Sequence, residues 1–484
     1  MSTIKYLEDS IDFIENLAIS SSCKVALTVE EDPKIDGNIE LNDDNIKLTM
    51  FVPIDKRFDY LEKRNLKISI NGTTFIAENF YFNQMQGYSE QGIHEAILHK
   101  YIGHVYKLES ITNDTEKKLY RRVIFPVDEN KSFFFYIENV SYNIKRKGED
   151  EPVGWSRNLI NLCLDNYSFD FFFYYKFDTK SNYLIIDSLE CINEELFSKY
   201  VYCILLTYSF LTGYFPYGES YHFTSKTNDF CELKAKKYLN YGFTLKNNNS
   251  TIHANSYAFS YSIGHKLAAD YKSKLAEISQ PNFNEFILKV FINENLQRAL
   301  YLFQRANNEE LYVRASLYSI VLETVSIIVR KHYKEHYENI NSEKSEIIED
   351  FKKRISQIFE LDEFYKIDKE TQDILLKKIK YLDQPTNSEL LLKPFKVLGI
   401  ELSEEEIKVI NYRNNFLHGS HPLMKKNKTS VSTNEMHYIC LRLFVVLSKE
   451  ILKYLGYSGR IINYPKIYEN ITKIKVNEEP FIKI

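Results

Sequence analysis

The segment SEEEIKVINYRNNFLHG, residues 403–419, predicts a helix whose two ends are marked by the sequence itself. Ser403 and Glu406 have the spacing of a capping box, in which each side chain bonds to the backbone N–H of the other residue. Gly419 comes directly after the apolar pattern, and glycine commonly closes a helix in the left-handed conformation. We therefore predict one helix over about 404–418, with His418 in its last position.

This helix contains an arginine and a histidine with four residues between them, Arg413 and His418. The bare spacing is weak, since a chain of this composition is expected to contain about one such match by chance. A spacing of four to six residues also includes Arg330 and His336, which have five between them, but they lie in RKHYKEHYEN, a charged stretch typical of a solvated helix end. Arg413 is instead followed by Asn414, and His418 by a capping glycine. Arg413 and His418 are therefore the candidate pair.

The chain around this helix has a helical pattern from about residue 284 to its end. Within 310–333 the apolar residues recur at alternating steps of four and three, which indicates one long amphipathic helix. These residues are Leu311, Ala315, Tyr318, Leu322, Val325 and Val329. Further helices are predicted at 293–306, 343–360 and 367–380, and Ser432 with Glu435 opens a last helix that ends at Gly456. We predict an all-helical domain over 284–484.

The preceding part of the chain, from Lys24 to about Ile186, has the pattern of β-strands. Stretches such as KVALTVEED, NIKLTMFV and YSFDFFFYYKF are rich in β-branched and aromatic residues, and Asn, Asp, Gly and Pro separate them. One helix is interposed near 192–212, and the periodicity changes at 280–282, where we place the domain boundary. The predicted fold class is α+β, with a β-rich, sandwich-like domain over 1–280 followed by the helical bundle.

Composition excludes several classes of protein. The 484 residues are 44% hydrophobic and 26% charged, which is typical of a globular chain with more than one domain. The net charge of −4 provides no overall basic field, so any contact with nucleic acid must be local. The six cysteines form no CxxC pair, and the N-terminus and the apolar stretches predict neither a signal peptide nor a membrane span. We expect a cytoplasmic protein with no cofactor and no metal.

A longer stretch carries a resemblance to a known family. LDQPTNSELLLKPFKVLGIELSEEEIKVINYRNNFLHG, with the upstream LYSIVLETVSII, resembles the C-terminal region of ApeA-like HEPN proteins, which act in bacterial anti-phage defence. The β-rich part shares only its general character with that group. The resemblance implies a HEPN helical bundle with endoribonuclease activity on RNA, tRNA included. It also implies Arg413, Asn414 and His418 as catalytic residues, and a homodimer that joins two motif helices into one composite site.

The chemistry of these residues suits RNA cleavage without a metal. Such cleavage requires a group that moves protons at the 2′-hydroxyl or the leaving 5′-oxygen, and a cation that stabilises charge on the phosphoryl oxygens. His418 at a helix C-terminus has its protonated form favoured by the helix dipole, which leaves open whether it acts as acid or base. Arg413 offers a charged fork that matches phosphate, and Asn414 would orient the pair or bind a phosphate oxygen. The expected products end in a 2′,3′-cyclic phosphate.

Supporting residues have two interpretations each. The loop after the motif carries three lysines that could contact the RNA backbone or simply be solvated: Lys425, Lys426 and Lys428. Arg442 is placed on the same side, and His421 is a loop residue or a second proton-transfer group. Glu323 either faces the motif helix and positions Arg413 or occupies an exposed position.

Other functions remain open at this stage. The sequence contains no Walker loop, no GxGxxG after a strand, no HExxH and no GxSxG. The leading hypothesis is an abortive-infection endoribonuclease whose N-terminal domain responds to a phage-derived trigger. The alternatives are a non-catalytic HEPN module that binds RNA or protein, and the toxin of a toxin–antitoxin pair.

Overall fold

The computed structural model describes most of the chain. The described residues are 3–19, 23–28, 35–42, 45–53, 66–70, 73–89, 97–111, 118–127, 137–241, 244–246, 249–252, 278–334, 349–355, 357, 368–380, 386–419 and 432–484. They divide into two compact units, of which the first ends at Ile292 and the second runs from Asn293 to Ile484. The sequence placed this boundary at 280–284, whereas the contacts assign the helix Gln280–Ile292 to the first unit.

The first unit is rich in antiparallel strands. Its strands are β1 (Thr3–Lys5), β2 (Cys23–Thr28), β3 (Ile35–Asn42), β4 (Asn45–Pro53), β5 (Leu66–Ile70), β6 (Thr73–Ser89), β7 (Ile97–Ser110), β8 (Tyr120–Val127), β9 (Val140–Ile144), β10 (Gly154–Leu164), β11 (Tyr167–Lys176), β12 (Ser181–Ser188), β13 (Tyr214–Phe215), β14 (Glu219–Ser225), β15 (Leu233–Asn240) and β16 (Leu245–Lys246). Its helices are α1 (Glu8–Ile19), α2 (Glu194–Thr212) and α3 (Gln280–Ile292).

The strand pairings connect most of these strands into one sheet. Apart from β13 and β16, the strands just named form one hydrogen-bonded sheet in the order β1-β9-β10-β11-β12-β8-β14-β15-β7-β4-β3-β2-β5-β6. Because β6 also pairs with β7, strands β2 to β7 close into a ring. The length of β7 is the physical reason: one edge pairs with β4 over Leu98–Val105 and with β15 over Lys107–Glu109, while the other edge pairs with β6.

The interposed helix α2 confirms the prediction near 192–212. The Asn193 side chain accepts a hydrogen bond from the Leu196 backbone N–H at 2.8 Å and thereby caps the first turn. Gly213 ends the helix at φ 79°, a left-handed conformation that favours glycine. Twelve of its residues, from Phe197 to Leu211, are buried, so this helix forms part of the core of the first unit.

The second unit is helical, which confirms the α+β order of a β-rich part followed by a helical part. Its elements are α4 (Glu294–Ala306), α5 (Leu311–His332), α6 (Lys369–Lys380), α7 (Asn387–Val397), α8 (Glu404–Asn411), α9 (Arg413–Leu417), α10 (Thr433–Tyr454), β17 (Arg460–Ile462), α11 (Tyr464–Ile467), α12 (Glu469–Thr472) and β18 (Phe481–Lys483). The predicted helices at 293–306 and 367–380 correspond to α4 and α6. Of the predicted helix at 343–360, the described residues are helical and the remainder lies outside the described part.

The helix α5 confirms the apolar stripe predicted for 310–333. Of the stripe, Ala315, Tyr318, Leu322, Val325 and Val329 are buried, and they face α10 and α4. By length and composition alone α5 would suffice to cross a membrane, and it is the one such helix among the described residues. Half of its most apolar stretch is buried inside the protein, and the core helix of a soluble protein passes the same test.

Candidate active site

The motif segment consists of two short helices joined at Tyr412. The capping box at its start is present: Ser403 Oγ accepts from the Glu406 N–H, and Glu406 Oε2 accepts from the Ser403 N–H at 3.0 Å. Helix α8 ends at Asn411 and α9 begins at Arg413, with Tyr412 between them in a right-handed helical conformation at φ −70°. The Tyr412 N–H bonds the Lys408 carbonyl at 3.2 Å, and the Tyr412 carbonyl accepts the Phe416 N–H at 3.3 Å, so the segment stays helical over the range that the sequence predicts.

His418 terminates α9, as the sequence predicts. Its backbone N–H bonds to the Asn414 carbonyl at 3.1 Å, and Gly419 follows with φ 67°, the left-handed closing conformation. The side chain of His418 is exposed, and it forms no hydrogen bond with the residues that the structure describes. An exposed imidazole at the end of a helix is accessible to a substrate and available for proton transfer.

Arg413, at the other end of α9, is held by two polar side chains. Its Nη2 lies against the carboxylate of Glu323 on α5, and its Nη1 donates to the Asn414 Oδ1. The Arg413 side chain is 13% exposed and that of Glu323 37% exposed, so the pair is shielded on one side and open on the other. Burial lowers the pKa of the Arg413 guanidinium, but arginine remains protonated at neutral pH.

One nitrogen of Arg413 lacks a partner in the part of the chain that the structure describes. Its Nε is buried and forms no hydrogen bond to any described residue. A buried N–H without an acceptor costs about 1–3 kcal/mol. The structure thus brings Arg413, Asn414 and Glu323 together, while the catalytic roles of Arg413 and Asn414 stay predictions.

Three contacts attach the motif segment to the rest of the helical unit. Glu406 on α8 accepts from Lys449 on α10 at 2.7 Å, in an ion pair whose side chains are 2% and 6% exposed. Ser388 Oγ donates to Asn411 Oδ1 at 2.6 Å, and Ser316 Oγ on α5 donates to the Phe416 carbonyl at 3.2 Å. The segment is therefore anchored at its start, its middle and its end.

These anchors were missed at the level of the sequence. Lys449 was visible only as a charge inside the apolar run LRLFVVLSKEIL, a pattern that often indicates a buried partner. Ser316 carries no signal of its own, because a serine on a helix most often bonds its own backbone. Only the fold shows which carbonyl lies opposite it.

Several predicted residues are not part of this arrangement. Of the two alternatives for Arg442, contact with RNA is contradicted by burial: its guanidinium bonds both oxygens of Glu478 at 2.8 and 2.7 Å. Arg330 bonds the Ser326 carbonyl of its own helix at 3.3 Å. The loop candidates lie outside the described residues, namely His421, Lys425, Lys426 and Lys428, as does His336.

No group of three or more metal-ligating side chains is found within the described part of the chain. What the described site offers is a charged guanidinium with an acidic partner, a primary amide and an exposed imidazole. Such a set can bind a phosphate group and can move a proton. Comparison of the chain with protein-family models, with curated proteins and with solved structures yields no match.

Proposed function

We propose that the helical unit is a HEPN-type, metal-independent endoribonuclease, in which Arg413 and His418 cleave RNA. The observation that carries the proposal is the geometry of α9. One end holds an arginine oriented by Glu323 and Asn414, and the other presents an exposed histidine. The resemblance of 382–419 to ApeA-like HEPN proteins supports the same activity.

In this mechanism His418 moves the proton and Arg413 stabilises charge. The imidazole takes the proton of the ribose 2′-hydroxyl or gives one to the leaving 5′-oxygen, and the guanidinium binds the phosphoryl oxygens as their charge grows. Asn414 holds Arg413 and is itself exposed, so its amide can also meet a phosphate oxygen. The product then ends in a 2′,3′-cyclic phosphate.

The biological part of the proposal follows the resemblance. We propose a cytoplasmic abortive-infection effector that acts on RNA, tRNA included, as a homodimer through the helical domain. The β-rich unit would keep the nuclease silent until a phage-derived trigger binds. A composite site would explain how one short helix serves the reaction with residues at its two opposite ends.

The test is cleavage of total RNA by the purified full-length protein. Arg413→Ala and His418→Ala are each expected to abolish cleavage, because the loss of a catalytic group lowers the rate by orders of magnitude. Arg330→Ala and His336→Ala match the bare spacing and serve as controls that cleave normally. If a folded Arg413→Ala or His418→Ala protein cleaves at the wild-type rate, the catalytic assignment is lost.

The chemistry of the products provides a second test. Since the proton work is assigned to His418, cleavage should continue in excess EDTA and should leave 2′,3′-cyclic phosphate ends. A requirement for Mg²⁺ or Mn²⁺, or products with a 5′-phosphate and a free 3′-hydroxyl, would contradict the mechanism.

One observation favours the non-catalytic alternative. Two nitrogens of Arg413 are already engaged by Glu323 and Asn414, as they would be in a structural ion pair. In that case the unit is an RNA- or protein-binding module, and Arg413→Ala unfolds or loosens it without any nuclease activity to lose. Thermal melting of Arg413→Ala, measured beside the cleavage assay, separates the two functions.

A further inference from the structure

The Phe416 carbonyl is the point at which a second helix contacts the turn that carries His418. This carbonyl accepts the N–H of Gly419 at 3.2 Å, and its oxygen also accepts the hydroxyl of Ser316 at 3.2 Å. The backbone N–H of His418, which bonds the Asn414 carbonyl, also points to this oxygen. The closing turn of α9 is therefore connected to α5 through one serine.

The Ser316 hydroxyl lies within hydrogen-bond distance of two carbonyl oxygens. It lies 3.0 Å from the Tyr312 carbonyl of its own helix as well as 3.2 Å from the Phe416 carbonyl. Its single proton is shared between the two carbonyls, whereas most helical serines serve only their own backbone. Ser319, three residues further along α5, is of that ordinary kind: it donates to the Ala315 carbonyl at 2.8 Å and is buried.

We propose that Ser316 is a positioning residue that sets the orientation of His418 through the Phe416 carbonyl. The inference rests on the proposed ribonuclease function and adds a residue to it that touches neither substrate nor phosphate. Because the Phe416 carbonyl also binds the closing N–H of Gly419, a shift of this oxygen changes the turn in which His418 sits. A displacement of a catalytic group by about 1 Å can lower a rate by up to about a hundredfold.

The kinetic test compares two matched serines. Ser316→Ala and Ser319→Ala each remove a hydroxyl bonded to the helix backbone, but only Ser316→Ala removes the connection to Phe416. We expect Ser316→Ala to lower kcat about tenfold with KM nearly unchanged, and Ser319→Ala to leave kcat as in the wild type. Ser316→Thr keeps the hydroxyl and should recover most of the rate. Wild-type kcat in Ser316→Ala would overturn the inference.

A spectroscopic test measures whether Ser316 affects the environment of His418, and it does not depend on catalysis. In protein with isotope-labelled histidine, the His418 ring signal is identified by its absence in His418→Gln. This signal should shift in Ser316→Ala and stay in place in Ser319→Ala. An unshifted His418 signal in Ser316→Ala would overturn the inference. Absence of cleavage by the wild-type protein would instead overturn the ribonuclease proposal, and the ring signal would still decide the role of Ser316.

Discussion

The buried carboxyl of Glu450 leads to the most quantitative prediction. Glu450 lies on α10 and is fully buried; its Oε1 accepts from Ser326 on α5 at 3.1 Å, and its Oε2 has no partner among the described residues. Burial disfavours the charged form, so the pKa of Glu450 is raised to about 8 from 4.5, with the Ser326 hydrogen bond acting in the opposite direction. The folded protein therefore keeps this carboxyl protonated at neutral pH.

The sign of the effect follows from proton binding. Between the unfolded and folded pKa values the folded state holds one proton more than the unfolded state, so stability falls as pH rises through this window. Below about pH 4.5 both states are protonated and nothing is lost. With one pKa unit equivalent to about 1.36 kcal/mol, the free energy of unfolding should fall by at most ~3.5 kcal/mol between pH 5 and pH 8 on account of Glu450 alone.

Glu450→Gln removes this dependence while it keeps the shape of the side chain and an acceptor for Ser326. Urea unfolding of the wild type and of Glu450→Gln is measured from pH 5 to pH 8 by the helical signal in circular dichroism. The difference between the two profiles should grow with pH by up to ~3.5 kcal/mol, which corresponds to a shift of about 7–14 °C in Tm for a unit of this size.

Two controls belong to this measurement. Glu401→Gln changes an exposed acid of the same unit and should leave the profile parallel to the wild type. The single tryptophan, Trp155, lies on β10, so its fluorescence follows the first unit separately. Parallel profiles for the wild type and Glu450→Gln, or a wild type that gains stability from pH 5 to pH 8, would refute the reasoning.

Three further outcomes are expected. Lys449→Met leaves the buried carboxylate of Glu406 without its partner, so calorimetry should show a loss of about 3–5 kcal/mol, and a loss below 1 kcal/mol would show that water reaches the pair. Glu323→Gln weakens the hold on Arg413, and if Glu323 positions it, the RNA cleavage rate should fall about tenfold while thermal stability stays close to the wild type; an unchanged rate would remove Glu323 from the site. Thr224→Val removes a buried hydroxyl without a partner among the described residues, so urea unfolding should show stability retained or raised by up to about 1 kcal/mol rather than lowered.

Part of the candidate site could be predicted from the sequence, and part of it could not. The capping boxes at Ser403 and Ser432 and the left-handed glycines at 419 and 456 were all predictable, because caps depend on residues three or four positions apart. The pairing of Glu323 with Arg413 was only one of two alternatives. The two residues are 90 positions apart along the chain. Helical periodicity separates the buried face of a helix from its exposed face, but it does not show which other element packs beside a residue at the border of the two faces.

The first unit shows the opposite limit. Strand stretches such as 45–52 and 167–177 were recognised from their composition, since β-branched and aromatic residues suit a pleated, half-buried surface. Their partners were not recognised, because pairing depends on contacts between distant segments. Apart from β13 and β16, the described strands form one hydrogen-bonded sheet, in which β7 pairs with β4 and β15 along one edge and with β6 along the other.

The sequence alone therefore determined the α+β order and the capped helix ends at Ser403, Gly419 and Ser432, and it predicts Arg413 and His418 rather than Arg330 and His336 as the candidate pair. Each of these depends on residues close together along the chain. Tertiary structure alone decided that Arg442 is a buried partner of Glu478, that Glu406 is paired with Lys449, and that Ser316 reaches the turn of His418. A polar residue has the same identity in the sequence whether it is exposed or buried, and only the packing of distant segments determines which polar residues are buried with a partner.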